Sequence, residues 1–220
     1  MKKFIIMALF SLIATNLNAA ELKTSASLTV WSEYFLQGYA RSADPFSILM
    51  GRAKYGNITT TIESKQSIVG TTKDNYITGV VDYNISPNFL VGVKSYTLQN
   101  VSMKQMTDMH FISKYGPISC YTYMFTAGPT TRFNHAIYSE WGYTVKPFTD
   151  TSVKLSLGFG NKAHLRSNQE GFSLVNTQIT AIQKVNSKVS LMGMVVYNPY
   201  QNDGFDINNL KYAIGTTIIL

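Results

Sequence analysis

The sequence is almost without cysteine: Cys120 is the one such residue in 220. A lone thiol excludes an intrachain disulfide framework, and it is read as a small packing residue on a strand rather than a nucleophile. Charge is also sparse, at 14% of residues, and the basic side chains stand singly rather than in clusters. The formal excess of +7, from 19 Lys and Arg against 12 Asp and Glu, therefore lacks the concentrated stripe that a phosphate backbone requires, and nucleic-acid binding is excluded. Long apolar runs are missing too. The stretch from Phe4 to Ala14 falls short of the roughly 20 apolar residues that a spanning helix needs, and nothing after it comes closer. An α-helical membrane protein is excluded on that ground. The residues that fill surface helices, Glu, Ala and Leu, are scarce.

Catalytic and cofactor chemistry is equally poorly supplied. The three histidines, His110, His135 and His164, lie in separate segments, and none has a metal-ligand spacing with another histidine or with Cys120. Ser113 follows His110 by three residues, but on an extended strand the two point to opposite faces, which argues against a membrane-embedded hydrolase. No glycine-rich phosphate loop occurs, and Gly56, Gly79, Gly92 and Gly193 stand alone within or between strands. The residues imply no enzyme, no metal and no cofactor.

What is present is strand composition, with 14 Tyr, 12 Phe and 15 Gly among many Thr, Ser and Asn. Residues 1–20 have a basic start at Lys2 and Lys3, an apolar middle and a small-residue close at Ala19-Ala20, the pattern of a cleavable export signal. From there to residue 220 the chain alternates in short segments separated by turn-rich breaks. About twelve strands are expected, near 24–36, 46–55, 58–66, 76–83, 89–98, 106–115, 118–127, 135–145, 152–160, 172–184, 189–197 and 209–220. The breaks alternate in kind. Tight ones, such as Tyr55-Gly56-Asn57 and Tyr115-Gly116-Pro117, interleave with longer polar ones at 37–45, 67–75, 99–105, 128–134, 161–171 and 198–208. Short turns at one end and long loops at the other predict an all-β fold, a closed antiparallel up-and-down transmembrane barrel.

A charge on the lipid face costs about 2–4 kcal/mol at mid-membrane, so charges report which face looks inward. Lys94 shares its face with Leu90, Gly92 and Tyr96, leaving Phe89, Val91 and Val93 for lipid; Lys154 goes in with Ser156 and Gly158, opposite Leu155 and Leu157. Asp82 and Glu140 sort their strands in the same way. The segment 189–197 stays ambiguous, because Met192, Met194 and Val196 compete with Leu191, Val195 and Tyr197. Tyr55, Tyr83, Tyr115, Tyr143 and Tyr197 are expected in the interfacial girdles. The expected lumen lining includes Arg52, Lys94, Glu33, Glu63, Glu140 and Lys154, with Arg52 and Glu63 as a pair. A mixed, mildly basic lining suits a small passive channel for small solutes. If the charges pair across the interior they plug it, and the barrel becomes a non-conducting scaffold whose outer loops bind a partner such as lipopolysaccharide.

Two segments carry resemblances. The last strand, with Gly215, Ile218 and Leu220, resembles the C-terminal signal read by the bacterial barrel-assembly machinery, although Leu220 stands where phenylalanine is usual. Trp31-Ser32-Glu33-Tyr34-Phe35-Leu36-Gln37-Gly38 with Arg41-Ser42-Ala43-Asp44-Pro45 resembles the opening hairpin of Gcw_chp, a family of small proteobacterial barrels, with Glu33 in place of its aspartate and Gln37 in place of its arginine. The resemblance implies an outer-membrane barrel and no particular activity.

Overall fold

The computed structural model describes residues 21–36, 39–42, 45–68, 75–98, 105–127, 135–161, 172–199 and 210–220. The expected export signal and most of the long polar breaks lie outside these residues. Twelve strands close into one antiparallel barrel. In chain order the strands are β1 Lys23–Trp31, β2 Tyr34–Leu36, β3 Tyr39–Ser42, β4 Phe46–Tyr55, β5 Ile58–Ser67, β6 Tyr76–Ser86, β7 Phe89–Leu98, β8 Gln105–Tyr115, β9 Ile118–Ala127, β10 Ile137–Phe148, β11 Thr151–Asn161, β12 Phe172–Lys184, β13 Val189–Tyr197 and β14 Leu210–Ile219. Each barrel strand pairs with its sequence neighbour, and β14 pairs with β1 to close the ring.

The expected first strand, 24–36, is divided in two. Its barrel part stops at Trp31, and after a bend at Ser32-Glu33 the chain forms a small separate hairpin of β2 with β3. Glu33, expected in the lumen lining, thus sits in the bend past the last barrel residue of β1. The division has a physical cause: β4 starts at Phe46, opposite Trp31, so residues beyond Trp31 have no barrel partner on that side.

The tight ends are built as their sequences require. Tyr55 faces Ile58 and Tyr115 faces Ile118 across two-residue loops whose first residue is a glycine at φ 55 and 56. A first central glycine with positive φ matches the right-handed twist of the flanking strands. β6 and β10 run three residues further than expected, to Ser86 and Phe148, because register shifts absorb Ile85 and the Lys146-Pro147 pair. A bulge is where a strand tolerates proline.

Alternation then sorts the two faces. Outward positions are apolar and exposed: Val81 and Tyr83 on β6, Trp141 and Tyr143 on β10, Leu155 and Leu157 on β11, and Leu210, Tyr212 and Ile214 on β14. Tyr83, Tyr115 and Tyr143 are exposed at the tight-turn end, where an aromatic girdle meets a bilayer interface. The open register of β13 resolves the same way: Leu191, Val195 and Tyr197 are exposed, whereas Val196 is buried and Met192 and Met194 pack on the interior cluster. An outer surface of this kind is suited to hydrocarbon and not to water. Among the described residues no helix is long and apolar enough to cross a membrane.

Closure rests on the end of β14. Ile218 and Ile219 pair with Leu28 and Ser27, and the Leu220 N–H donates to the Ala26 carbonyl at 3.0 Å. Deleting Ile218 to Leu220 is therefore expected to abolish assembly, since unpaired backbone groups facing hydrocarbon cost several kcal/mol each. Heat-modifiable mobility of the membrane-extracted protein measures this, and a truncated chain that kept it at normal levels would contradict the closure.

Candidate functional site

The inward residues form two bands between the loop end and the turn end. Nearest the loops lies an aromatic band. Tyr76, Tyr96, Tyr123, Phe125 and Tyr138 are all buried, together with Trp31, Phe46, Val175 and Ala213. The ring contacts run sideways from strand to strand: Tyr76 to Tyr96 at 6.2 Å between centroids, Tyr96 to Phe125 at 6.2 Å, Tyr123 to Phe125 at 5.2 Å and Tyr123 to Tyr138 at 5.4 Å. Tilted and edge arrangements at these distances are the favoured aromatic geometries. The rings lean on one another along the wall.

Below the aromatic band lies a charged one, built around glycines that have no side chain to obstruct their neighbours. Asp82 on β6, Gly92 on β7 and His110 on β8 are in register. With nothing on Gly92, the ring of His110 reaches over β7 to Asp82, Nε2 to Oδ1 at 2.8 Å, while Nδ1 lies 3.3 Å from Asp108 Oδ1. A Cβ at Gly92 would collide with Asp82 Oδ1 and His110 Nε2. Glu140 on β10, Gly158 on β11 and Asn176 on β12 repeat the arrangement. There the Tyr138 hydroxyl lies 3.0 Å from Asn176 Oδ1 and 3.2 Å from Glu140 Oε2. Lys154 lies over Gly142, and its ammonium donates to Glu140 Oε1 at 2.7 Å.

Of the expected lining residues, Lys94, Glu63, Glu140 and Lys154 sit at this level. Glu63 pairs with Lys65 on its own strand, at 3.4 Å, and Lys65 also donates to the Tyr76 hydroxyl at 3.2 Å. Lys94 faces Asp108 in register, and its ammonium lies 4.8 Å from the centroid of the Tyr96 ring, a cation–π distance. The expected Arg52–Glu63 pair does not form. Register sets Arg52 opposite Thr61 and Glu63 opposite Met50, and Lys65, two residues along, takes the carboxylate. Arg52 is exposed on the inward side of β4, nearer the turn end, with no ion-pair partner among the described residues. Lys54 follows it toward the mouth. His110 is inside, whereas Ser113 is exposed on the outward face of β8, so the two do not meet. Among the described residues no group of three or more His, Cys, Asp or Glu is arranged to hold a metal ion.

The His110 cluster was missed by spacing in sequence. Its signal lay in register: Asp108 and His110 alternate onto one face of a strand, and the hairpin brings glycine between them and Asp82.

No protein-family model matches the sequence, and no curated protein does. Among solved structures the chain is similar to the KdgM porin, at 10% identity and a TM-score of 0.53, with 89% of this chain and 98% of that one covered. The same porin in complex with disordered oligogalacturonate matches at 9% identity and a TM-score of 0.54, again over 89% and 98%. A triple mutant of the Rhodopseudomonas blastica porin matches at 10% identity and a TM-score of 0.44, over 80% of this chain and 55% of that one, so the chain spans about half the length of that porin. The likeness to the KdgM porin is one of fold: the chain is a porin-like β-barrel.

The glycine arrangement generates a direct test. Gly92→Val is expected to lower unfolding stability by about 1–3 kcal/mol, the usual cost of overpacking, by driving His110 off Asp82. Gly79→Val, on the outward face with nothing within 4 Å of its Cβ position, is expected to change it by less than about 0.5 kcal/mol. Urea unfolding of both variants in lipid vesicles makes the comparison, and equal losses would contradict the close approach over Gly92.

Proposed function

We propose that the chain is an exported outer-membrane channel, and not an enzyme, that passes small solutes passively through a narrow, mixed and mildly basic lumen. The observation that carries this reading is the direction of the ion pairs. Lys65 with Glu63, His110 with Asp82 and Asp108, and Lys154 with Glu140 all run along the wall, within a strand or between strands one or two apart. A plugged interior would pair its charges across the barrel. Here the pairs hold the side chains against the wall and leave Arg52 and Lys94 among the basic side chains that face the lumen without an ion-pair partner among the described residues, which is the lining an anion-favouring pore uses. The porin-like fold, the export signal and the resemblance of residues 31–45 to the Gcw_chp barrels support the same location, with outer-membrane lipid and lipopolysaccharide as the surroundings and the assembly machinery as reader of β14.

A second reading draws on the aromatic band. Tyr123, Tyr138 and Val175 have no exposure at all, as they would in a barrel closed at its loop end and used to present surface loops. Single-channel recording separates the two. The refolded protein in a planar bilayer is expected to give a stable, weakly anion-selective current, and Lys94→Glu is expected to assemble normally and shift selectivity several-fold toward cations, because a charge at the constriction sets the local barrier. A folded barrel with no current would favour the second reading, and a current with unchanged selectivity would remove Lys94 from the constriction.

A further inference from the structure

At mid-wall the inward cations stand beside carboxylates: Lys65 has Glu63, His110 has Asp82 and Asp108, and Lys154 has Glu140. The turn end of β1 and β4 is built otherwise. There Lys23 and Lys54 stand directly opposite each other in register, and Arg52, two residues from Lys54 on the same inward face, lies opposite Ser25. All three cations are exposed. The next strand adds hydroxyls, with Thr59 opposite Lys54 and Thr61 opposite Arg52. The Thr59 hydroxyl is buried and makes no hydrogen bond among the described residues.

Like charges set directly opposite on neighbouring strands destabilise a sheet, and among the described residues no inward carboxylate answers these three. The nearest in register, Glu63 opposite Met50 and Asp82 opposite Thr59, are held by Lys65 and His110. Glu21 lies 3.8 Å from Lys23, but both side chains are largely exposed, where an ion pair contributes little. The spacing suits one compact anion. Opposite residues on paired strands have Cβ atoms about 4.5–5.5 Å apart and diagonal neighbours about 7–8 Å, so two ammonium groups on flexible stems and one guanidinium can converge on a single small group. A guanidinium gives a phosphate two parallel hydrogen bonds, and a lysine gives it a mobile point charge. A phosphate monoester carries about −1.5 to −2 charges near neutrality, so from one position it offsets more of this positive cluster than a carboxylate does. Lys184, at the same end of the barrel on β12, is three strands from β1 and does not share the cluster.

We infer that the channel binds small phosphate-bearing anions, inorganic phosphate or phosphate monoesters, at its turn-end mouth, where Arg52 takes two of the oxygens and Lys23 and Lys54 close on the others. The inference deepens the channel reading and rests on it, and its test tells the two failures apart. Single-channel currents carried by chloride are recorded at pH about 8, where a phosphate monoester is doubly charged, with added inorganic phosphate, methyl phosphate, succinate or acetate. Succinate has two charges held apart, and acetate has one. Both phosphates are expected to interrupt the current at half-blocking concentrations about ten-fold below those of succinate and acetate, a ten-fold step being one good contact's worth of selectivity. The tighter of the two phosphates tells the free ion from its esters as the natural solute. Arg52→Gln and Lys54→Gln are each expected to remove most of that preference. Lys184→Gln takes the same charge from the same mouth and is expected to leave the preference in place. Each variant is checked for folding by heat-modifiable mobility, and the comparison of solutes on the unaltered protein stands even where a variant fails to fold. A conducting barrel that succinate blocks as well as either phosphate, or on which Lys184→Gln costs as much preference as Lys54→Gln, overturns this inference and leaves the channel intact. A folded barrel with no current overturns the channel reading and the inference with it.

Discussion

Every feature of this barrel depends on the pairing of β14 with β1. Away from water a backbone N–H or C=O without a partner costs several kcal/mol, so a sheet that crosses a bilayer must have no free edge. The closing register, Ser27 to Ile219 through Trp31 to Gly215, removes that edge. It also reaches beyond the regular strands: the Ser32 N–H donates to the Ile214 carbonyl at 2.8 Å, and the Ile214 N–H donates to Ser32 Oγ at 3.0 Å. Once the ring is closed, strand alternation assigns each side chain to hydrocarbon or lumen with no further choice. A slip of one residue would exchange the two faces entirely, setting Lys94 and Lys154 in lipid.

Inside, the second constraint is crowding. A lumen lined by tyrosines and long charged side chains fills quickly, and four inward glycines relieve it. Gly92, Gly142, Gly158 and Gly215 are each covered by a neighbour's side chain, whereas the outward Gly51, Gly79 and Gly193 have nothing within 4 Å of their Cβ positions. The inward glycines let His110, Lys154, Tyr138 and Trp31 lie flat across an adjacent strand. Side chains that lie along the wall satisfy one another there, and in this way a band of partly buried charges finds its partners within the wall. Thr29 and Thr217 do the same at the closure, with their hydroxyls 2.8 Å apart.

Much of the fold was legible because a membrane barrel writes both of its solvents into the sequence. In Ser152 to Gly160 one lysine among small residues, set against Val153, Leu155, Leu157 and Phe159, fixes the face of every position. Where no charge interrupts the alternation, as in β13, sequence alone cannot choose between Met192 and Leu191, since both are apolar; the choice is made by register with Gly215 and Ala213 on β14. Strand ends at Ser86 and Phe148 were underestimated because a bulge resembles a turn in sequence. The site was less legible than the fold. Placing Arg52 inward needs only parity, but pairing it with Glu63 requires knowing that Lys65 lies within 3.4 Å of the same carboxylate. The cluster of Asp82, Asp108 and His110 spans three strands, so no spacing along the chain expresses it.

The central claim is that one face of each strand meets lipid and the other meets water. Cysteines placed singly at residues 192 to 195 of β13, in a Cys120→Ser background and in lipid vesicles, test it most directly. The account predicts that positions 192 and 194 react with a small membrane-impermeant thiol reagent, and that a fluorophore at 193 or 195 is quenched by brominated acyl chains. Equal reactivity at all four positions, or the opposite alternation, would contradict it.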